Sequence, residues 1–83
     1  MNVILGVLRT EKTINLVSTA NTITFIVDPK ATKTDIRDEL ENMLGAKVEK
    51  VRTHHTFKGK KVAYVKFAPE VNIEDIATKL NLS

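Results

Sequence analysis

Apolar residues recur along this chain with two different periods, and the changes of period divide it into elements. In "TKTDIRDELENMLG" the apolar positions are Ile36, Leu40, Met43 and Leu44. That i, i+4, i+7, i+8 spacing puts one stripe on one face of an α-helix. Thr32 stands where a hydroxyl accepts from the third helical amide, Asp35 where a carboxylate answers it, and Gly45 where a stop is expected. Asp38, Glu39 and Glu41 fall away from the stripe, which predicts an acidic outer face. "NIEDIATKL" repeats the plan, with Asn72 as cap, Asp75 three residues on, and Ile73, Ile76, Ala77 and Leu80 as its stripe. "TEKTINLVSTA" predicts a weaker helix carried by Ile14 and Val17, since β-branched residues lower its propensity.

Between these segments the period falls to two. "TITFIVD" alternates Ile23, Phe25 and Val27 against Thr22, Thr24 and Ile26 before Pro29 stops it. "KVEKVRTHHTF" is rich in strand formers, but Val48 and Val51 differ in parity, so a bulge or a late strand start is expected near Lys50. "KKVAYVKFA" reads as the next strand, with "KG" as the hairpin tip between the two. An N-terminal strand in "NVILGV" completes the order β-α-β-α-β-β with a short closing helix. The predicted fold is α+β: an antiparallel sheet of about four strands with helices packed on it.

Eighty-three residues make one domain, spanning 1–83, that buries roughly 60 to 65% of its unfolded surface. The absence of cysteine excludes a disulfide framework and a thiolate zinc site. "NVILGVL" is far shorter than the roughly 20 apolar residues of a membrane span, and no basic segment precedes it. Neither secretion nor membrane insertion is expected. The formal net charge of +3 conceals a strong asymmetry. Lys47, Lys50, Arg52, Lys58, Lys60, Lys61 and Lys66 face Glu49 alone within residues 47–66, so this segment is strongly basic and the remainder is net acidic. Segregated positive charge is the usual footprint of a phosphate-rich partner.

The histidine pair in "RTHHTFKGKK" raises the question of metal binding or catalysis. Adjacent residues of a strand point to opposite faces, so His54 and His55 cannot chelate one ion. A histidine base also needs a nucleophile and an orienting acid, and neither a glycine-rich phosphate loop nor a zinc spacing appears. No metal, cofactor or catalytic residue is expected. From Val51 onward, parity places Val51, Thr53, His55 and Phe57 on one face and Arg52, His54, Thr56 and Lys58 on the other. The second row is polar and basic. A phosphate backbone could lie along it, with Arg52 making forked contacts and the lysines acting as point charges.

Two other readings compete. "KKVAYVKF" matches part of the RRM strand signature, which would make the domain a binder of single-stranded RNA. Lys61, however, replaces the glycine, Val62 replaces the first stacking aromatic, and "NVILGVL" offers no second aromatic strand. Core packing is the expectation for Phe57 and Phe67. The acidic row of Asp38, Glu39 and Glu41 could instead serve a small protein-interaction module.

The order "TEK", "ITFIVD", "KATKTDIRDELENML", "VEKVRT" and "GKKVAYVKFAPE" resembles large-subunit ribosomal protein family twenty-three, in its compact archaeal form. The resemblance covers about residues 9–80. It implies a structural, non-enzymatic protein of the cytoplasmic ribosome that binds large-subunit ribosomal RNA beside the polypeptide exit tunnel and touches neighbouring ribosomal proteins. The family's RNA-contacting positions fall on Ala31 to Lys33, on Val51 to Thr53 and on Lys60 to Val65. Taken with the basic row, the expected RNA contacts are Lys12, Lys30, Lys33, Arg52, Thr53, Lys58, Lys60, Lys61 and Tyr64. Arg52 stands where asparagine is usual and Val62 interrupts the family's pattern; "TFKGKK" is too short to reach into a tunnel. Glu11 matches the acid associated with docking of exit-site factors such as signal recognition particle or the nascent-chain-associated complex. The same Glu11 could equally be a favourable charge in a helix's first turn.

Overall fold

The computed structural model describes residues 3–56 and 59–80. Phe57 and Lys58, assigned above to the core and to RNA contact, lie outside them. The elements run β1 (Ile4–Val7), α1 (Glu11–Ala20), β2 (Thr22–Val27), α2 (Lys33–Leu44), β3 (Val48–His55), β4 (Lys61–Phe67) and α3 (Ile73–Lys79). The four strands form one antiparallel sheet in the order β1-β2-β4-β3, so β2 and β4 are central and β1 and β3 are edges.

Local chemistry sets the helix ends. Thr32 and Asp35 form a reciprocal capping box, and Gly45 closes α2 in the left-handed region at φ 62°. Asn72 caps α3 by accepting from the N–H groups of Glu74 and Asp75. In α1 the box pairs Thr10 with Thr13, an acceptor that needs no carboxylate. Asn21 ends α1 at φ 54°, and its amide donates to the carbonyls of Phe67 and Ala68, tying this turn to the end of β4.

The core lies on one side of the sheet. Ile23, Phe25, Val27, Val51, Ala63, Val65 and Phe67 meet Ile36 and Leu40 of α2 and Ile73, Ile76 and Ala77 of α3. Phe25 and Phe67 are fully buried. The parity conflict in β3 resolves as a register shift between Val48 and Lys50, which lets Val48 and Val51 both reach the core.

Three expectations require correction. Met43 is 53% exposed, because the flank of α2 that it occupies overlooks the short edge strand β1, where it lines an open hollow with Val3 and Ile4. Ile14 is 45% exposed; the Thr13 hydroxyl, bonded to the carbonyl of Leu8 at 2.9 Å, turns Thr13 inward and Ile14 outward. The acids of α2 do not form one solvated face. Glu39 accepts from the N–H groups of Val3 and Ile4, Glu41 accepts from that of Val48, and Asp38 remains exposed. Backbone donors at the two sheet edges draw both glutamates in.

Candidate nucleic-acid interface

The face of the sheet opposite the core carries the basic row. Beyond the bulge, alternation along β3 places Lys50, Arg52 and His54 on this face, and β4 adds Val62, Tyr64 and Lys66. Pairing aligns them across the strands. Lys50 stands opposite Lys66 and then Thr22, Arg52 opposite Tyr64 and then Thr24, and His54 opposite Val62 and then Ile26. Lys12 and Leu16 of α1 form the remaining wall, while Val17 of the same helix packs on the core. The result is a hollow of about 480 Å³ bordered by Lys12, Lys50, Arg52, His54, Tyr64 and Lys66.

Its electrostatics are unfavourable for the protein alone. Lys50 and Lys66 are directly opposed like charges, an arrangement that destabilises a strand pair. Glu49, displaced by the bulge, reaches Lys66 at 3.8 Å, but both side chains are nearly half exposed and such a pair contributes little. The His54 and Tyr64 rings meet edge to face with centroids 5.2 Å apart. The groove therefore offers cations, a partly exposed phenol and an imidazole, a set suited to phosphate and sugar contacts.

The residues expected to contact RNA divide between two places. Lys12, Arg52 and Tyr64 come together in the groove. Thr53 lies on the opposite face, half-buried and paired with Ala63. Lys61 also points to the helix side, where its ammonium donates to the carbonyl of Ala31 at 2.7 Å. Lys30 in the turn after β2, Lys33 at the start of α2 and Lys60 in the β3–β4 hairpin are exposed around that end of the sheet. The groove also contains His54, which parity already puts in the row beside Arg52, and Lys50 and Lys66, which are absent from the expected contacts although Lys50 shares the parity of Arg52 and Lys66 that of Tyr64. Glu11 is exposed in the first turn of α1. His54 and His55 fall on opposite faces, and among the described residues no group of three His, Cys, Asp or Glu side chains gathers to hold a metal. Among the same residues, no helix is long and apolar enough to cross a membrane.

The family model described as ribosomal protein L23 matches residues 2–74, from the N-terminal strand into the first turn of α3. The large ribosomal subunit protein uL23 of Methanothermobacter thermautotrophicus is 45% identical over 73 residues, covering 88% of this chain and 85% of the relative. The chain belongs to the ribosomal protein L23 family. An L23 protein is a structural constituent of the large ribosomal subunit near the exit tunnel, without catalytic activity, on the cytoplasmic ribosome. L23 membership accounts for the basic face. It also removes the RRM reading, in agreement with β1, whose sequence Ile-Leu-Gly-Val supplies no aromatic platform.

Proposed function

We propose that this protein binds large-subunit ribosomal RNA through the open face of its sheet, with Lys12, Lys50, Arg52 and Lys66 on phosphates and Tyr64 and His54 against sugar or base. The observation that carries this reading is the direct opposition of Lys50 and Lys66 across β3 and β4. An RNA phosphate between two such cations relieves their repulsion and releases its own counterions. Lys30, Lys33, Lys60 and Lys61 extend the contact at the other end of the sheet, Thr53 lies on the side facing α2, and Lys58 is a further RNA contact on the strength of the sequence. Lys61 holds Ala31 in place there as well as contributing charge.

Glu11 serves a different partner in this proposal. It borders a shallow hollow with Thr10, Asn15 and Leu16, beside the wall of the RNA groove. Exit-site factors such as signal recognition particle or the nascent-chain-associated complex would dock there through a basic side chain. Neighbouring ribosomal proteins complete the setting. Ultraviolet cross-linking of the protein within intact subunits tests the RNA assignment, with adducts expected on Tyr64 or His54. Adducts confined to residues outside the groove would overturn it.

A further inference from the structure

We propose that the ridge of α2 overlooking β1 docks a basic amphipathic helix of a neighbouring ribosomal protein. This docking site rests on the ribosomal setting proposed above and stands apart from the RNA groove. Asp35, Asp38, Glu39, Asn42 and Met43 border one hollow of about 620 Å³, with Val3 and Ile4 of β1 as its other side. Their spacing is i, i+3, i+4, i+7, i+8, a second stripe on α2 beside the buried one of Ile36 and Leu40. Such a stripe runs along two helical turns, about 12 Å, and is the footprint on which another helix lies. Among the described residues nothing covers it, for Asp38, Asn42 and Met43 are all exposed.

The hollow selects its partner by apolar surface and by charge. Met43, Val3 and Ile4 supply the apolar part, and a flexible thioether repacks around whatever meets it. Around them Asp35, Asp38 and Glu39 carry three negative charges, and among the described residues no cation pairs with any of them. Asp35 and Glu39 bond main-chain N–H groups, which leave the charge in place. Such a rim repels RNA and attracts Lys and Arg. A protein seated on the same RNA carries those residues in excess. Glu39 also sets how the partner is held. Its carboxylate takes the N–H groups of Val3 and Ile4, so this end of β1 has fewer donors for an added strand, and docking proceeds through side chains. A helix with apolar residues toward Met43 and cations toward Asp38 meets both demands.

The test uses assembled large subunits in which a photoreactive benzoylphenylalanine stands in place of Asn42, with the adduct peptide sequenced by mass spectrometry. The expected adduct is a peptide of another ribosomal protein, with Lys or Arg at helical spacing around apolar residues. Asp38→Arg in the same subunits should lower its yield roughly tenfold, whereas Glu70→Arg, in the turn before α3, should not. Both positions are exposed, and an unchanged melting temperature separates lost contact from lost fold. The isolated Asp38→Arg protein should bind ribosomal RNA at least as tightly as the parent. An adduct to RNA, to an acidic peptide or to another part of this chain overturns the docking site, as does no adduct. So does a yield that Asp38→Arg leaves unchanged or that Glu70→Arg lowers equally. Failure of the groove reading looks different: Arg52→Ala then binds RNA like the parent while the adduct at position 42 still forms.

Discussion

Glu39 of α2 accepts from the main-chain N–H of Ile4 at 2.8 Å, and the same carboxylate oxygen takes the Val3 N–H at 3.0 Å. Two residues along the helix, Glu41 does the same for Val48 at 3.0 Å on the other side of the sheet. Residues i and i+2 of a helix lie about 200° apart, so one helix above the sheet reaches both edges. Each edge strand thereby loses donors that could pair with another chain.

Removing the Glu39 carboxylate should therefore destabilise the protein. Charge-assisted bonds to part-buried amides are the stronger kind, and Glu39→Ala should cost about 2 kcal/mol in urea unfolding. Glu39→Gln, which keeps an acceptor but not the charge, should lose less. Asp38→Ala, exposed on the same flank, should stay within about 0.5 kcal/mol of the parent. Equal stability of all three variants would show that the two amides are as well served by water.

Neighbouring lysines should separate in the same way. Lys61 spans 30 residues of sequence to bond the carbonyl of Ala31, whereas Lys60 is exposed. Lys61→Ala should lower stability by about 1 kcal/mol, with Lys60→Ala close to neutral. Both should weaken RNA binding. A melting temperature unchanged in Lys61→Ala would remove its structural role and leave only its charge.

Features set by near neighbours in the chain are legible in the sequence itself. The caps at Thr32 and Asn72 and the stop at Gly45 depend on residues within a turn, and the parity of Val48 and Val51 locates the bulge. Features that depend on distant partners are not legible in this way. The sequence shows Glu39 as polar but not the unpaired amides of Val3 and Ile4 that turn it inward. Met43 belongs to the apolar stripe by spacing, yet the short β1 leaves it uncovered. The basic segment is evident as charge. Its division between the open face and the helix side follows from which lysines share parity with Arg52 and Tyr64, and the opposition of Lys50 to Lys66 follows from a register that no single strand encodes.

Zinc offers a check on the histidines. His54 rests against Tyr64 on the open face, while His55 pairs with Lys61 on the other side of the sheet. Among the described residues no group of three metal-ligating side chains gathers, and a single imidazole binds metal too weakly to favour the native state. Micromolar zinc should leave the melting temperature where it was; a ligand-like rise would mean that a site has assembled from residues the fold holds apart.

Salt dependence and geometry together test the groove. If about five of its cations and their neighbours meet phosphates, the logarithm of RNA affinity should fall with the logarithm of salt at a slope of about −3.5 to −4.5. A slope near zero would end the RNA assignment of this face. Arg52 then distinguishes forked recognition from simple charge. It stands directly across from Tyr64 at the centre of the groove, with Lys50 and His54 on either side along β3. Arg52→Lys keeps the charge but loses the planar fork, so affinity should drop several-fold while the slope stays nearly constant. Arg52→Ala should lose about 1 to 2 kcal/mol of binding and about one unit of slope. Lys79, exposed in the last turn of α3, carries the same charge away from the groove, and Lys79→Ala should change neither quantity. If Lys79→Ala weakens binding as much as Arg52→Ala does, the protein holds RNA by diffuse charge, and the opposed lysines of β3 and β4 are not a localised site.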